Sequence, residues 1–338
     1  SIGNNAFKGT AITSITLPSR VKTLGESAFA SCDKLETAVI AAQGVTEIKA
    51  ETFKGCSALK SVTLPEGITV IGNGAFASCA ALTEINIPAS VTTLQKDGSG
   101  ALSVFALSNK LATITIAEGN VNYASSEGVI YEKDENGALA TLVYCPIANN
   151  VKDGKFTVPA AVKRIETGAF ASNAVVTEIK FGGGGENLIF GKNVFDGCAK
   201  LSRMVLPSGL IEISESLFEN CSSLEYVYVP NTVNSIKKGA FHTCVKLSTV
   251  EFEDNGVKDL VIEDGEQKGM DIKGAFSGCE ALNSISLPAR TVKIGAYAFT
   301  VSNMNTGTSR TKKSGLTSIV IPANVKTIGN YAFYCVGT

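Results

Sequence analysis

Apolar positions in this chain return in a fixed order with a fixed step. From Phe53 the order is Phe53, Cys56, Leu59, Val62, Leu64-Pro65, Ile68, Ile71; the next run is Phe76, Cys79, Leu82, Ile85, Ile87-Pro88, Val91, Leu94. Every landmark has advanced by 23 residues. The same phase recurs at Phe29/Cys32/Leu35, Phe195/Cys198/Leu201, Phe218/Cys221/Leu224, Phe241/Cys244/Leu247 and Phe276/Cys279/Leu282. Eight of the nine prolines follow an aliphatic residue in one register, among them Pro18, Pro65, Pro88 and Pro230. A period of this length is the mark of a stacked repeat rather than of a globular chain.

The pattern predicts the elements of each unit. Leu-x-x-Val-x-Leu alternates inward and outward, as a short strand does. Proline then removes a backbone donor and ends the strand at the same height in every unit. An apolar pair three apart, such as Ile68 and Ile71, turns back into the core. The Ala-Phe-x-x-Cys segment rounds a corner, with Phe as its plug and Cys as a small buried hydrophobe. One unit cannot cover its own apolar face, whereas stacked neighbours bury a continuous one.

These residues resemble the BspA-type leucine-rich repeats, whose units read Ala-Phe-x-x-Cys-x-x-Leu-x-x-Ile-x-Ile-Pro-x-x-Val-x-x-Ile. The resemblance implies a leucine-rich-repeat solenoid, a β-rich right-handed superhelix with a parallel sheet on one face and short strands or turns on the other. It covers nearly the whole chain, so residues 1–338 are expected to form a single domain of about 12–13 units. The stretch Tyr123 to Tyr131, followed by Leu142 to Pro146, looks like a divergent unit within residues 119–165. Neither end supplies a polar capping unit, so the array is expected to be truncated or uncapped at both ends. The family further implies a bacterial surface or secreted protein, several members acting as adhesins for host matrix proteins or cells.

Longer units mark where loops are expected. Gln95 to Gly100 extends one unit, and Asp134 to Gly137 reads as a turn inside the divergent one. Gly182 to Gly185 is expected to be a flexible run without the Lys-Ser/Thr sequel of a phosphate loop. Phe241 and Phe276 lie 35 residues apart, around an acidic segment that includes Glu253, Asp254, Asp259, Glu263, Asp264, Glu266 and Asp271. A solvated charged loop is the expectation there, with calcium binding the alternative. Ser302 to Gly315 carries Arg310, Lys312 and Lys313.

Charge narrows the partners. Thirty basic against 31 acidic residues leave a formal net charge of −1, so no global field attracts nucleic acid, and no apolar run spans a membrane. The sole histidine, His242, follows a core phenylalanine and reads as a half-exposed corner residue; a hydrolase built on it is the remote alternative. The cysteine ladder sits about one unit apart, unlike Cys-x₂₋₄-Cys zinc sites, and no cofactor or metal is expected. Cys145 and Cys335 are off that ladder, Cys335 being the better candidate for a reactive thiol. Asn220-Cys221-Ser222 matches a glycosylation sequon but overlaps a core cysteine.

Outward strand positions carry the candidate binding residues. Most are small and hydroxylic, as at Ser14/Thr16, Ser61/Thr63, Thr113/Thr115 and Ser284/Ser286. The middle of the chain differs: Arg203, Val205, Tyr226 and Tyr228 fall on two consecutive strands, flanked by Lys180 and Glu251. Exposed tyrosine and arginine are the types enriched where proteins bind, although tyrosine also simply suits a strand. The expectation is a monomer that binds a protein or glycan through its sheet face and adjoining loops. A structural spacer projecting another domain from the envelope is the rival reading.

Overall fold

The computed structural model describes residues 1–41, 44–149, 151–185, 187–269, 271–301 and 315–334. The chain divides into two compact units, 1–150 and 151–338. Each is a parallel-strand β-solenoid, and among the described residues helix is confined to two single 3₁₀ turns.

In the first unit the strands Ser14–Leu17, Thr37–Ile40 and Ser61–Thr63 pair in parallel and in register, as do Glu84–Ile87 and Thr113–Ile116. A second ladder of two-residue strands, Glu47–Ile48, Val70–Ile71 and Thr93–Leu94, lines the other side of the same coils. The divergent segment departs from this plan: Tyr123–Ser126, Val129–Lys133 and Leu139–Tyr144 form an antiparallel meander. Its connecting turn is tied by Asp134, whose carboxylate accepts from the Asn136 and Ala138 amides at 2.9 Å each. Around Gln95–Gly100, Asp97 does the same for Ser99 at 2.8 Å.

In the second unit one parallel sheet runs Lys155–Val158, Glu178–Phe181, Arg203–Val205, Tyr226–Val229, Thr249–Phe252. A second holds Glu212–Ile213, Ser235–Ile236, Leu260–Ile262, Thr291–Ile294 and Thr327–Ile328. Proline or an equivalent break after the first strand of each coil keeps the strands short, so the backbone can round a corner every few residues.

The corner segment is where the coils lock. Phe29, Phe53 and Phe76 stack at 5.3 and 5.5 Å, and Phe195, Phe218, Phe241, Phe276, Phe299 and Phe333 continue the same motif at 5.0–5.4 Å. That spacing suits offset stacking and matches the rise of one coil. The residues two before and two after the phenylalanine take left-handed backbone angles: Ser27 and Ser31 flank Phe29, Ser216 and Asn220 flank Phe218. Alternating hands turn the amides at Ser27, Phe29 and Ser31 the same way, and each donates to the next coil, at Ala50, Thr52 and Lys54.

The ladder cysteines do more than fill space, which corrects the expectation of plain hydrophobes. Each thiol donates to the phenylalanine carbonyl one coil earlier: Cys56 to Phe29 at 3.1 Å, Cys221 to Phe195 at 3.0 Å, Cys244 to Phe218 at 3.0 Å. Where the column holds serine, Ser108 donates to Phe76 at 2.8 Å. Burial drives the Cys56 and Cys198 thiols up to about 12, which removes the thiolate needed for reaction there. Cys145 is buried as well, while Cys335 and the Arg310–Lys313 stretch lie outside the described residues.

Two other expectations change. Gly182–Gly185 is one turn of 3₁₀ helix rather than a flexible run. The acidic segment is a solvated loop only in part: residues 253–259 are irregular and mostly exposed, while much of the remainder is built into the fold. Leu260–Ile262 belongs to the second sheet, and Glu266–Lys268 pairs with Asp271–Lys273 as an antiparallel hairpin. Its acids meet lysines: Glu263 with Lys237 at 3.4 Å, Asp264 with Lys293 at 2.6 Å, Glu266 with Lys238 at 3.0 Å. Among the described residues no group of three or more His, Cys, Asp or Glu is placed to hold a metal ion.

Candidate binding face

Period-2 alternation aims every second side chain of the first sheet outward, and parallel register stacks those side chains into rows. In the second unit one row reads Lys155, Glu178, Arg203, Tyr226, Thr249. The next contains Thr157 beside Lys180, and Val205 beside Tyr228 beside Glu251. All six residues singled out from the sequence therefore share one face of one sheet. Lys155, Thr157 and Glu178 also belong to it, and Glu253 directly follows its last strand. Lys155 and Thr157 were missed because the Lys-Phe-Thr-Val-Pro strand lacks the preceding Phe-x-x-Cys signature.

The rows are internally organised. The Arg203 guanidinium lies 3.8 Å from the centre of the Tyr226 ring, a cation–π contact. The Tyr226 hydroxyl donates to Glu251 at 2.5 Å. Glu178 sits between Lys155 and Lys180, at 3.8 and 3.6 Å. Val205 is 47% exposed between these charged groups. Desolvation, helped by Glu251, holds the Tyr226 phenol above its ordinary pKa. Desolvation together with Glu253 and Glu251 does so at Tyr228. Both rings thus stay neutral donors in ordinary buffers.

The corresponding face in the first unit is plainer. Ser14, Thr37 and Ser61 form one row, and Thr16, Val39 and Thr63 the next. These short side chains give a partner little area to grip.

His242 sits at the corner, with its side chain only 13% exposed instead of half-exposed. Its Nδ1 lies 2.7 Å from the Ser277 hydroxyl and its Nε2 3.6 Å from Asp271. Burial lowers its pKa, against the pull of Glu219 and Asp271. Ser277 is buried, and its hydroxyl also bonds the Gly274 amide and carbonyl at 2.9 and 3.0 Å. A nucleophile needs an approach for the substrate, and this hydroxyl has none. The pair fastens the hairpin-bearing coil to its neighbour. Asn220 of the sequon is exposed, and its amide donates to Asp196 at 3.0 Å.

A solenoid of parallel short strands with buried, stacked phenylalanine corners defines a repeat protein. The chain belongs to the BspA-type leucine-rich repeat family, whose model matches as six copies over residues 1–99, 148–260 and 272–337. No curated protein matches the sequence. Among solved structures, a leucine-rich repeat protein from Eubacterium ventriosum is similar over 97% of this chain and 83% of its own, at 23% identity and a TM-score of 0.71. One from Bacteroides ovatus covers 96% of this chain and 77% of its own, at 24% and 0.58. A leucine-rich cell surface protein from Faecalibacterium prausnitzii covers 99% and 85%, at 23% and 0.52. At such identities these likenesses speak for the fold. Among the described residues no helix is long and apolar enough to cross a membrane.

Proposed function

We infer that this is a surface-exposed or secreted bacterial protein that binds another macromolecule, a protein or glycan, without chemistry of its own. Binding uses the outer face of the sheet from Lys155 to Phe252 and the loops beside it. The observation that carries the reading is the cluster of Arg203, Val205, Tyr226 and Tyr228 on adjacent strands, where the equivalent rows at Ser14/Thr37/Ser61 and Ser284/Ser318 hold small hydroxyls. Tyrosine and arginine supply large contact area at low entropic cost, which is why they dominate binding hot spots. The location draws support from the family and from the Faecalibacterium prausnitzii relative, which is a cell surface protein.

The test is retention of the whole chain on immobilised matrix proteins and glycans, with wild type compared to the Tyr226→Ala/Tyr228→Ala double variant. Loss of two hot-spot rings should weaken retention by roughly tenfold or more. Retention that the double variant leaves unchanged, or a wild type that nothing on the panel retains, would count against this face.

A further inference from the structure

A complete three-part group spans the two rows of the binding face. Arg203 lies over the Tyr226 ring at 3.8 Å, and the Tyr226 hydroxyl donates to Glu251. In register terms, the cation comes from the residue directly across on the preceding strand. The carboxylate comes from the following strand, two residues beyond the one paired with Tyr226.

Moving two residues along the same strands gives the next group. Tyr228 takes the place of Tyr226, and Val205 stands directly across from it, where Arg203 stood. Glu253 lies two beyond Glu251, the register partner of Tyr228. The ring and the carboxylate are repeated and the cation is not. Glu251, directly across from Tyr228 on the following strand, adds further negative charge there. Val205 is 47% exposed and too short to cover the ring as an arginine would.

Resting on the binding reading above, we propose that the Tyr228 position takes an arginine side chain from a protein partner, laid over Val205 and against the ring, with Glu253 and Glu251 as its counter-charges. Arginine suits this place better than lysine. Its planar guanidinium is weakly hydrated and stacks on aromatic rings while bonding carboxylates at its edge. The neighbouring row demonstrates that the spacing of these strands admits that geometry.

The experiment uses the whole chain labelled with 3-fluorotyrosine, the Tyr228 resonance being assigned with Tyr228→Phe. The probes are acetyl-Gly-Arg-Gly-amide and the same peptide with citrulline, which keeps the shape of arginine and lacks its charge. The arginine peptide should shift the Tyr228 signal and bind about fivefold tighter than the citrulline peptide. Val205→Arg, which supplies the cation from within, and Glu253→Gln should each erase that preference while leaving the melting temperature near wild type. Equal binding of the two peptides, or a preference that survives both substitutions, overturns the assignment. So does a neutral oligosaccharide that moves the Tyr228 signal where the arginine peptide does not. If matrix proteins or glycans are held through Tyr226 and Tyr228 without an arginine preference, the binding face stands and the arginine site falls. An arginine preference with no retention on the panel has the opposite meaning.

Discussion

At the scale of single residues, the cysteine three positions after a corner phenylalanine is a hydrogen-bond donor before it is a hydrophobe. Cys32, Cys56, Cys79, Cys198, Cys221, Cys244 and Cys279 all donate to the phenylalanine carbonyl of the preceding coil, and Ser108 does the same with oxygen. The Phe218 carbonyl also accepts from the Cys221 amide at 3.1 Å, so the thiol fills its second acceptor position. Cys244→Ala is expected to destabilise the chain by about 1–2 kcal/mol, the loss of that second hydrogen bond plus a small cavity. Cys244→Ser, which keeps the donor, should cost clearly less. Urea unfolding of the two variants decides it, and a serine variant no better than alanine would make the thiol a space-filler after all. The spacing of these cysteines was plain in the sequence, but their partners were not. A backbone carbonyl leaves no trace in residue identity, and only the substitution of Ser for Cys in the column hints at a donor.

At the scale of elements, what limits the coils is how closely their backbones approach. After the second short strand, the chain passes so near the preceding coil that a Cβ on Gly72 would lie 2.5 Å from the Ala50 amide nitrogen. Gly72→Ala should therefore force a backbone shift and cost about 1–3 kcal/mol, as overpacking does. A melting temperature unchanged from wild type would show that the coils can part there without penalty. The elements also explain why the second half of the acidic segment departs from a solvated loop. Charge density argued for solvated loop, yet Leu260–Ile262 keeps the coil's register and the extra residues fold into the Glu266–Lys273 hairpin. Its carboxylates face lysines supplied by other coils, and that complementarity is invisible along the chain. The Phe-x-x-Cys corner was legible as a corner, while its alternating left- and right-handed residues were not, since Ser27, Glu51 and Thr243 adopt angles usually left to glycine.

At the scale of the whole molecule, each coil meets mainly its neighbours, so damage should stay local. Phe218 is fully buried between Phe195 and Phe241, at 5.3 and 5.4 Å. Phe218→Ala should cost about 3–5 kcal/mol. In hydrogen exchange the loss of protection should concentrate in the coils around Phe195 and Phe241, leaving those around Phe29 and Phe53 as protected as before. A uniform loss through both units would contradict nearest-neighbour stacking. Repeat period, strand positions and the inward rows were determined by the sequence alone. Periodic burial is a one-dimensional property, and a 23-residue step writes it directly into residue order. Tertiary structure alone decided what neighbouring outward side chains do to one another. Arg203 and Tyr226 are 23 positions apart in the chain and 3.8 Å apart in space. The ring on Arg203 and the phenol bonded to Glu251 exist only because parallel register lays one coil over the next. Contacts between coils depend on that register, and no single coil encodes it.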